Sequence, residues 1–207
     1  MTTTTTPPPV RRPAPPDAHS AQRLRALTLV GGGVAFAVGN LLHPLEHSDA
    51  AMGVATWEAA HLVYALGCVL IAAGIGALRP RLGHLRAGRL ALGLTWLGVV
   101  MVIPTAYVEV YIAPAIGQER TTGIDESAVL WGLATFVPYA AGPALLAFVG
   151  LRHRLFPRLL CAGLVLQLVL VLLLPGLPGK EGVWLIPATA LLGLSLAWAG
   201  WLSRSDR

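Results

Sequence analysis

Six long apolar runs, separated by short polar connections, take up most of this chain: residues 26–43, 57–78, 90–112, 128–151, 159–177 and 183–203. Each is ~18–24 residues long, enough at 1.5 Å per helical residue to cross a hydrocarbon layer of ~30 Å. A backbone inside lipid finds no water, so its N–H and C=O groups must pair within the segment, and an apolar run of this length becomes a helix. The expected fold is all-α and integral to the membrane: a polytopic bundle of six spans over residues 23–207, with no room for a second globular domain. Charged residues make up 12% of the chain, about half the fraction found in soluble domains.

The basic residues set the orientation. Arg11, Arg12, Arg23 and Arg25 precede the first run; Arg79, Arg81, Arg86 and Arg89 separate the second from the third. Arg152, Arg154 and Arg158 separate the fourth from the fifth, and Arg204 and Arg207 follow the sixth. Only Arg120 and Lys180 lie in the alternate connections. Short loops rich in Lys and Arg stay on the cytoplasmic side, so both termini are expected inside. The net charge of +5 is accounted for by topology, and no nucleic-acid partner is implied. Acidic residues gather on the opposite side: Glu46, Asp49, Glu58, Glu109, Glu119, Asp125, Glu126 and Glu181, against Asp17 and Asp206. Orientation does not demand that bias.

Residues 1–22, rich in Thr and Pro, are expected to form a disordered cytoplasmic tail. The first apolar run then acts as an uncleaved anchor, because too many polar residues precede it for a signal peptide. Connections 44–56 and 113–127 are the longest, and both face outward. Trp57, Tyr107, Tyr111, Trp131 and Trp184 lie at the outer ends of the runs, where an interfacial aromatic belt is expected. Cys68 and Cys161 are isolated within apolar runs and read as small buried hydrophobes. Gly31, Gly32, Gly33 and Gly39, and Gly74 with Gly76, read as positions where helices pack closely.

Ionisable residues within a span cost ~2.5–3.5 kcal/mol near mid-membrane on insertion scales and normally face the bundle interior. His61 stands four residues into the second run, ~6 Å below Trp57, and Glu109 lies ~5 Å inside the outer end of the third. Tyr64 and Cys68 share the His61 face, Thr105 shares the Glu109 face, and Asn40 and His43 sit near the outer end of the first run. Three helices therefore contribute to one outward-facing layer, giving a candidate pocket of Asn40, His43, His61, Tyr64, Thr105 and Glu109. His43, His47, His61 and Glu109 offer donors suited to zinc, copper or iron, and two histidines can hold a haem iron axially. His43 and His47 have HxxxH spacing, but Pro44 opposes the continuous helix that would put them on one face.

The plain alternative is a structural His61–Glu109 pair joining two helices, a contact worth ~0.6 kcal/mol in bilayers. His19, His84 and His153 lie in the tail or in Arg-rich turns and carry no assigned role. No GxSxG, HExxH, Walker or aspartate-rich diphosphate motif is present. Three functions follow from these residues: a pocket for a metal, haem or small lipophilic ligand, a proton-coupled small-solute transporter, or an accessory subunit that acts through contacts. The lipid bilayer is the expected partner, with a homo-oligomer or membrane partner subunit also considered. The Ala/Leu/Gly/Arg-rich, Lys-poor composition points to the plasma membrane of a bacterium.

Overall fold

The computed structural model describes residues 18–173 and 181–205; among them the regular structure is all helical, with no strand. Helix α1 spans Ala18–Leu42 and α2 is a single turn, Asp49–Met52. Helix α3 runs Thr56–Leu82 through a 3₁₀ turn at Ile75–Leu78, and α4 runs Arg86–Ile116 through a π turn at Val108–Ile112. Helix α5 (Gln118–Ser127) is polar; α6 (Val129–Arg152), α7 (Arg158–Leu173) and α8 (Glu181–Ser203) follow. Five of these helices, α1, α3, α4, α6 and α8, are long and apolar enough to cross a membrane. Helix α7 is apolar but shorter, 16 residues, and the remainder of the expected run 159–177 lies outside the described residues.

Several boundaries differ from the sequence reading. Helix α1 begins at Ala18, inside the stretch assigned to the tail, because Gln22 Nε2 donates to the Ala77 carbonyl (2.8 Å) and the Ser203 carbonyl (3.1 Å). Two helices thereby anchor its first turn, while residues 1–17 lie outside the described residues. The two longest connections are also more regular than expected. Connection 44–56 holds α2, capped by the Ser48 hydroxyl, which accepts from Ala51 N at 3.2 Å. Connection 113–127 is helical apart from Gly117, whose φ of +86° breaks α4 from α5.

Helix α1 packs against α3 and α8, and touches both through glycine. A methyl group at Gly32 or Gly39 would overlap the α3 backbone at Leu70–Ile71 or Tyr64, and one at Gly67 or Gly74 would overlap the α1 backbone at Phe36 or Leu29. The seven-residue spacing on each helix keeps these contacts on one face over two turns. On its other side, Gly33 of α1 and Gly193 of α8 meet backbone to backbone. Helices α4 and α6 use the same device, Gly98 against Tyr139 and Gly142 against Thr95. Lipid tails are as apolar as Leu, so helices in a bilayer associate by close van der Waals contact, which small residues permit. Gly31 has open space where a side chain would stand, and Gly76 meets only the tip of Arg25; neither is a close-packing position.

The interior is filled by Leu29, Phe36, Ile71, Leu146 and Leu164, all with 2% exposure or less. The outward faces are apolar as well, with Leu24, Leu66, Leu130 and Leu159 more than half exposed, as suits a lipid solvent. At the Arg-rich end, Arg81 donates to the Leu155 carbonyl (3.1 Å) and the Leu202 carbonyl (2.8 Å), joining α3 to the α6–α7 turn and the end of α8.

Replacing Gly67 with Ala should lower the melting temperature in detergent by the equivalent of about 1–3 kcal/mol, since Phe36 backbone cannot give way. Gly31→Ala should leave it unchanged or raise it by about 0.5–1 kcal/mol. Equal losses in the two variants would contradict a fold held by specific glycine contacts.

Candidate metal centre

The site is assembled where α1 ends and α3 begins. Pro44 cannot continue a helix and restricts the residue before it. Helix α1 therefore stops at Leu42, and a turn forms in which His43 N donates to the Asn40 carbonyl (3.1 Å). The chain then folds back across the bundle, held at two points beyond the α2 cap. Gly182 N at the start of α8 donates to the Leu45 carbonyl (2.9 Å), and Gln118 N at the start of α5 donates to Asp49 Oδ1 (2.9 Å). A Cβ at Gly182 would collide with the Leu45 backbone, so this strap lies flat against α8.

The strap sets His43 and His47 beside the first turns of α3, which carry Trp57 and His61 one helical step apart. The ring centroids are 4.9 Å apart for His43–His47, 4.8 Å for His43–His61 and 4.6 Å for Trp57–His61. The metal-binding atoms of His43, His47 and His61 all lie within 4.8 Å of one another, and the three residues could hold a metal ion. HxxxH spacing thus brings two histidines together through a turn rather than a helix face.

Two of the three imidazoles are already oriented. His43 Nδ1 lies 2.6 Å from the Pro44 carbonyl, and His61 Nδ1 lies 2.8 Å from the Trp57 carbonyl. A carbonyl only accepts, so each Nδ1 is the donor, and Nε2 is the nitrogen left to face a metal. Metal-bound histidines are commonly held this way, with the second nitrogen donating to a backbone carbonyl. Nitrogens bound tetrahedrally at ~2.0–2.1 Å sit ~3.3 Å apart. The rings need to close inward by up to ~1.5 Å, a side-chain movement. Three imidazoles would hold a zinc ion with one position left for water or substrate. A bis-histidine haem does not fit, because its axial rings stand on opposite faces of the macrocycle. Here His43 and His61 are in direct edge-to-face contact at 72°.

Trp57 is 2% exposed rather than part of an interfacial belt. Its indole Nε1 donates to the Glu109 carbonyl at 2.8 Å. In the π turn, Ala113 N–H reaches back five residues to the Val108 carbonyl. The next donor in that pattern would be residue 114, a proline with no N–H. Trp57 supplies the bond that Pro114 cannot give the Glu109 carbonyl, and so fixes the π turn against α3. The turn places the Glu109 side chain inside, 7% exposed.

A cavity of about 200 Å³ opens over these groups. Asn40, His43, His61, Tyr64, Thr105 and Glu109 all line it, together with His47 and with Leu185 and Ile186 of α8. Within it the residues differ in availability. Asn40 Oδ1 accepts from Thr189 Oγ1 (2.7 Å) and its Nδ2 donates to the Phe36 carbonyl (2.8 Å), so its amide joins α1 to α8. Tyr64 stacks against Phe36 with ring centroids 4.7 Å apart. Glu109 lines the cavity, but the mutual 4.8 Å spacing embraces the three histidines only. Thr189 and the α8 wall were not foreseen, since nothing in the spacing of an apolar run announces which neighbour it faces. Trp57 carried one usable signal, its position four residues before His61.

Burial, reinforced by neighbouring His43, pushes the His47 imidazole down to about 4, so it is neutral and ligand-competent at neutral pH. No protein-family model, curated protein or solved structure matches this chain.

His47 takes its proton near 6.5 when unfolded but only near about 4 when folded. Its contribution to stability is therefore complete above pH 6.5 and is lost as pH falls towards 4. In a pH series of melting temperatures, the native chain should lose more stability across that window than His47→Gln. Parallel curves would refute the assignment.

Proposed function

We propose that this chain is a multi-pass membrane protein that holds one transition-metal ion, zinc or copper, near the outer face of the bundle. Its ligands are Nε2 of His43 and His61 together with a ring nitrogen of His47. The observation that carries this reading is the convergence of three imidazoles from a strap and a helix, two of them fixed by backbone carbonyls with Nε2 free. A structural histidine needs one satisfied hydrogen bond and gains nothing from two further histidines beside it. Neutral imidazoles suit zinc, copper and nickel more than magnesium or calcium, which favour oxygen donors. Glu109 lines the same cavity and would supply a carboxyl group beside a metal held there.

A small lipophilic ligand is the second part of this reading. A neighbouring cavity of about 380 Å³ shares Asn40, Tyr64, Thr105 and Leu185 with the first. Among the described residues, the buried Thr135 and Tyr139 hydroxyls within it have no hydrogen-bond partner. An apolar molecule with one or two polar atoms matches that lining. Proton-coupled transport draws on Glu109 in a helix interrupted by Pro104 and the π turn, a break of the kind transporters exploit.

Elemental analysis of the purified full chain, grown with zinc and copper supplied, should find about one metal ion per chain. His61→Ala should reduce it at least ~10-fold, as loss of a metal ligand or its orientation does, while His84→Ala should retain it. Metal content that is negligible in the native chain, or equal in both variants, would sink the proposal.

We further propose six spans with both ends cytoplasmic in a bacterial plasma membrane, with α7 as the fifth span. The support is the segregation of arginine to alternate connections. Alkaline phosphatase fused after residue 120 should be active and fused after residue 205 inactive; the reverse pattern would overturn the orientation.

A further inference from the structure

At the arginine-rich end of the bundle, away from His43, His47 and His61, a groove of about 690 Å³ runs between α1, α3 and α4. Its charged lining is entirely basic: Arg25 from α1, Arg79 from α3 and Arg89 from α4, with no Asp or Glu. All three side chains are exposed. Arg89 uses one N–H on the Gly83 carbonyl (3.0 Å), which orients the guanidinium and leaves its other donors. Three arginines from three helices concentrate positive charge that repels itself unless an anion sits among them.

The remaining lining is apolar and small. Ala72, Ala73 and Gly76 face Gly93 across the groove, with Trp96 as one wall. No atom lies within 4 Å of where a Cβ at Gly93 would stand, and at Gly76 only Arg25 Cδ comes near, at 3.8 Å. These glycines therefore do not serve helix packing; they leave a channel. Trp96, which lines the groove, is 45% exposed, and Val69 of α3 and Leu90 of α4 are exposed apolar residues too. A soluble phosphate would use the arginines and ignore the channel. A molecule carrying both a phosphate and an acyl chain uses both.

We propose that this groove binds an anionic phospholipid. The phosphate is held by the guanidinium groups of Arg25, Arg79 and Arg89, and an acyl chain lies along Ala72, Gly93 and Trp96. Arginine presents several donors in a plane that matches phosphate oxygens, and basic pockets between membrane helices are sites of this kind. The inference is independent of the metal centre, with which it shares no residue.

Native mass spectrometry of the full chain in mild detergent, with palmitoyl-oleoyl phosphatidylglycerol or phosphatidylcholine added, tests it. Phosphatidylglycerol should stay bound and phosphatidylcholine should not. Arg25→Gln and Arg79→Gln should each weaken retention about fivefold. Gly93→Leu fills the channel with all charges intact and should also abolish retention. Arg152→Gln, outside the groove, should leave it unchanged. Equal retention of the two lipids, displacement by inorganic phosphate at the lipid's own concentration, or undiminished binding in Gly93→Leu would overturn the proposal.

Discussion

Everything at the histidine end of the bundle depends on how closely α1 lies against α3 and α8. Glycine is what permits it: Gly32 and Gly39 admit the α3 backbone, Gly67 and Gly74 admit the α1 backbone, and Gly33 meets Gly193. In lipid there is little hydrophobic gain in pressing one apolar helix on another, so the attraction comes from contact over a large area at short range. A single methyl group at Gly67 would push the helices apart along their length. The end of α1 would then move away from the start of α3, and His43 would no longer meet His61.

A second constraint acts on α4. Its π turn and Pro114 leave a backbone carbonyl short of a donor inside the bundle, an expensive arrangement where water is excluded. The Trp57 indole meets that need, and Trp57 also supplies the carbonyl that orients His61. One side chain thus links the histidine cluster of α3 to the turn that buries Glu109. π turns recur at functional sites because they rotate part of a helix relative to the rest. Here the rotation puts a carboxylate on the wall of the cavity that the histidines line.

The two ends of the molecule carry opposite chemistry. Imidazoles and a carboxyl group gather at one end, and guanidinium groups gather at the other. Arg81 shows that these arginines are not merely topological, since it ties α3 to the α6–α7 turn and to the end of α8. Arg25, Arg79 and Arg89 instead point into an open groove. The same residue type thus serves there both to tie helices together and to line an open groove.

Much of this was legible without coordinates. Apolar runs of bilayer length dictate helices because a backbone in lipid has no other way to satisfy its polar groups. The cost of burying His61 and Glu109 singles them out, and helical rise places them at similar depth. Asn40, His43, Tyr64 and Thr105 followed from spacing on the same faces, and all line one cavity. Other features were hidden. The helical form of 113–127, the start of α1 at Ala18, the buried role of Trp57 and the Asn40–Thr189 bond arise from contacts between segments far apart in the chain. The histidine group shows the division most plainly. Rise along the helices and the shortness of the connection determined that His43, His47 and His61 lie near one end of the bundle, away from His84 and His153. Only the tertiary structure decided that three of them converge, because a strap broken by Pro44 and held by Gly182 and Gln118 has no period from which its path can be read.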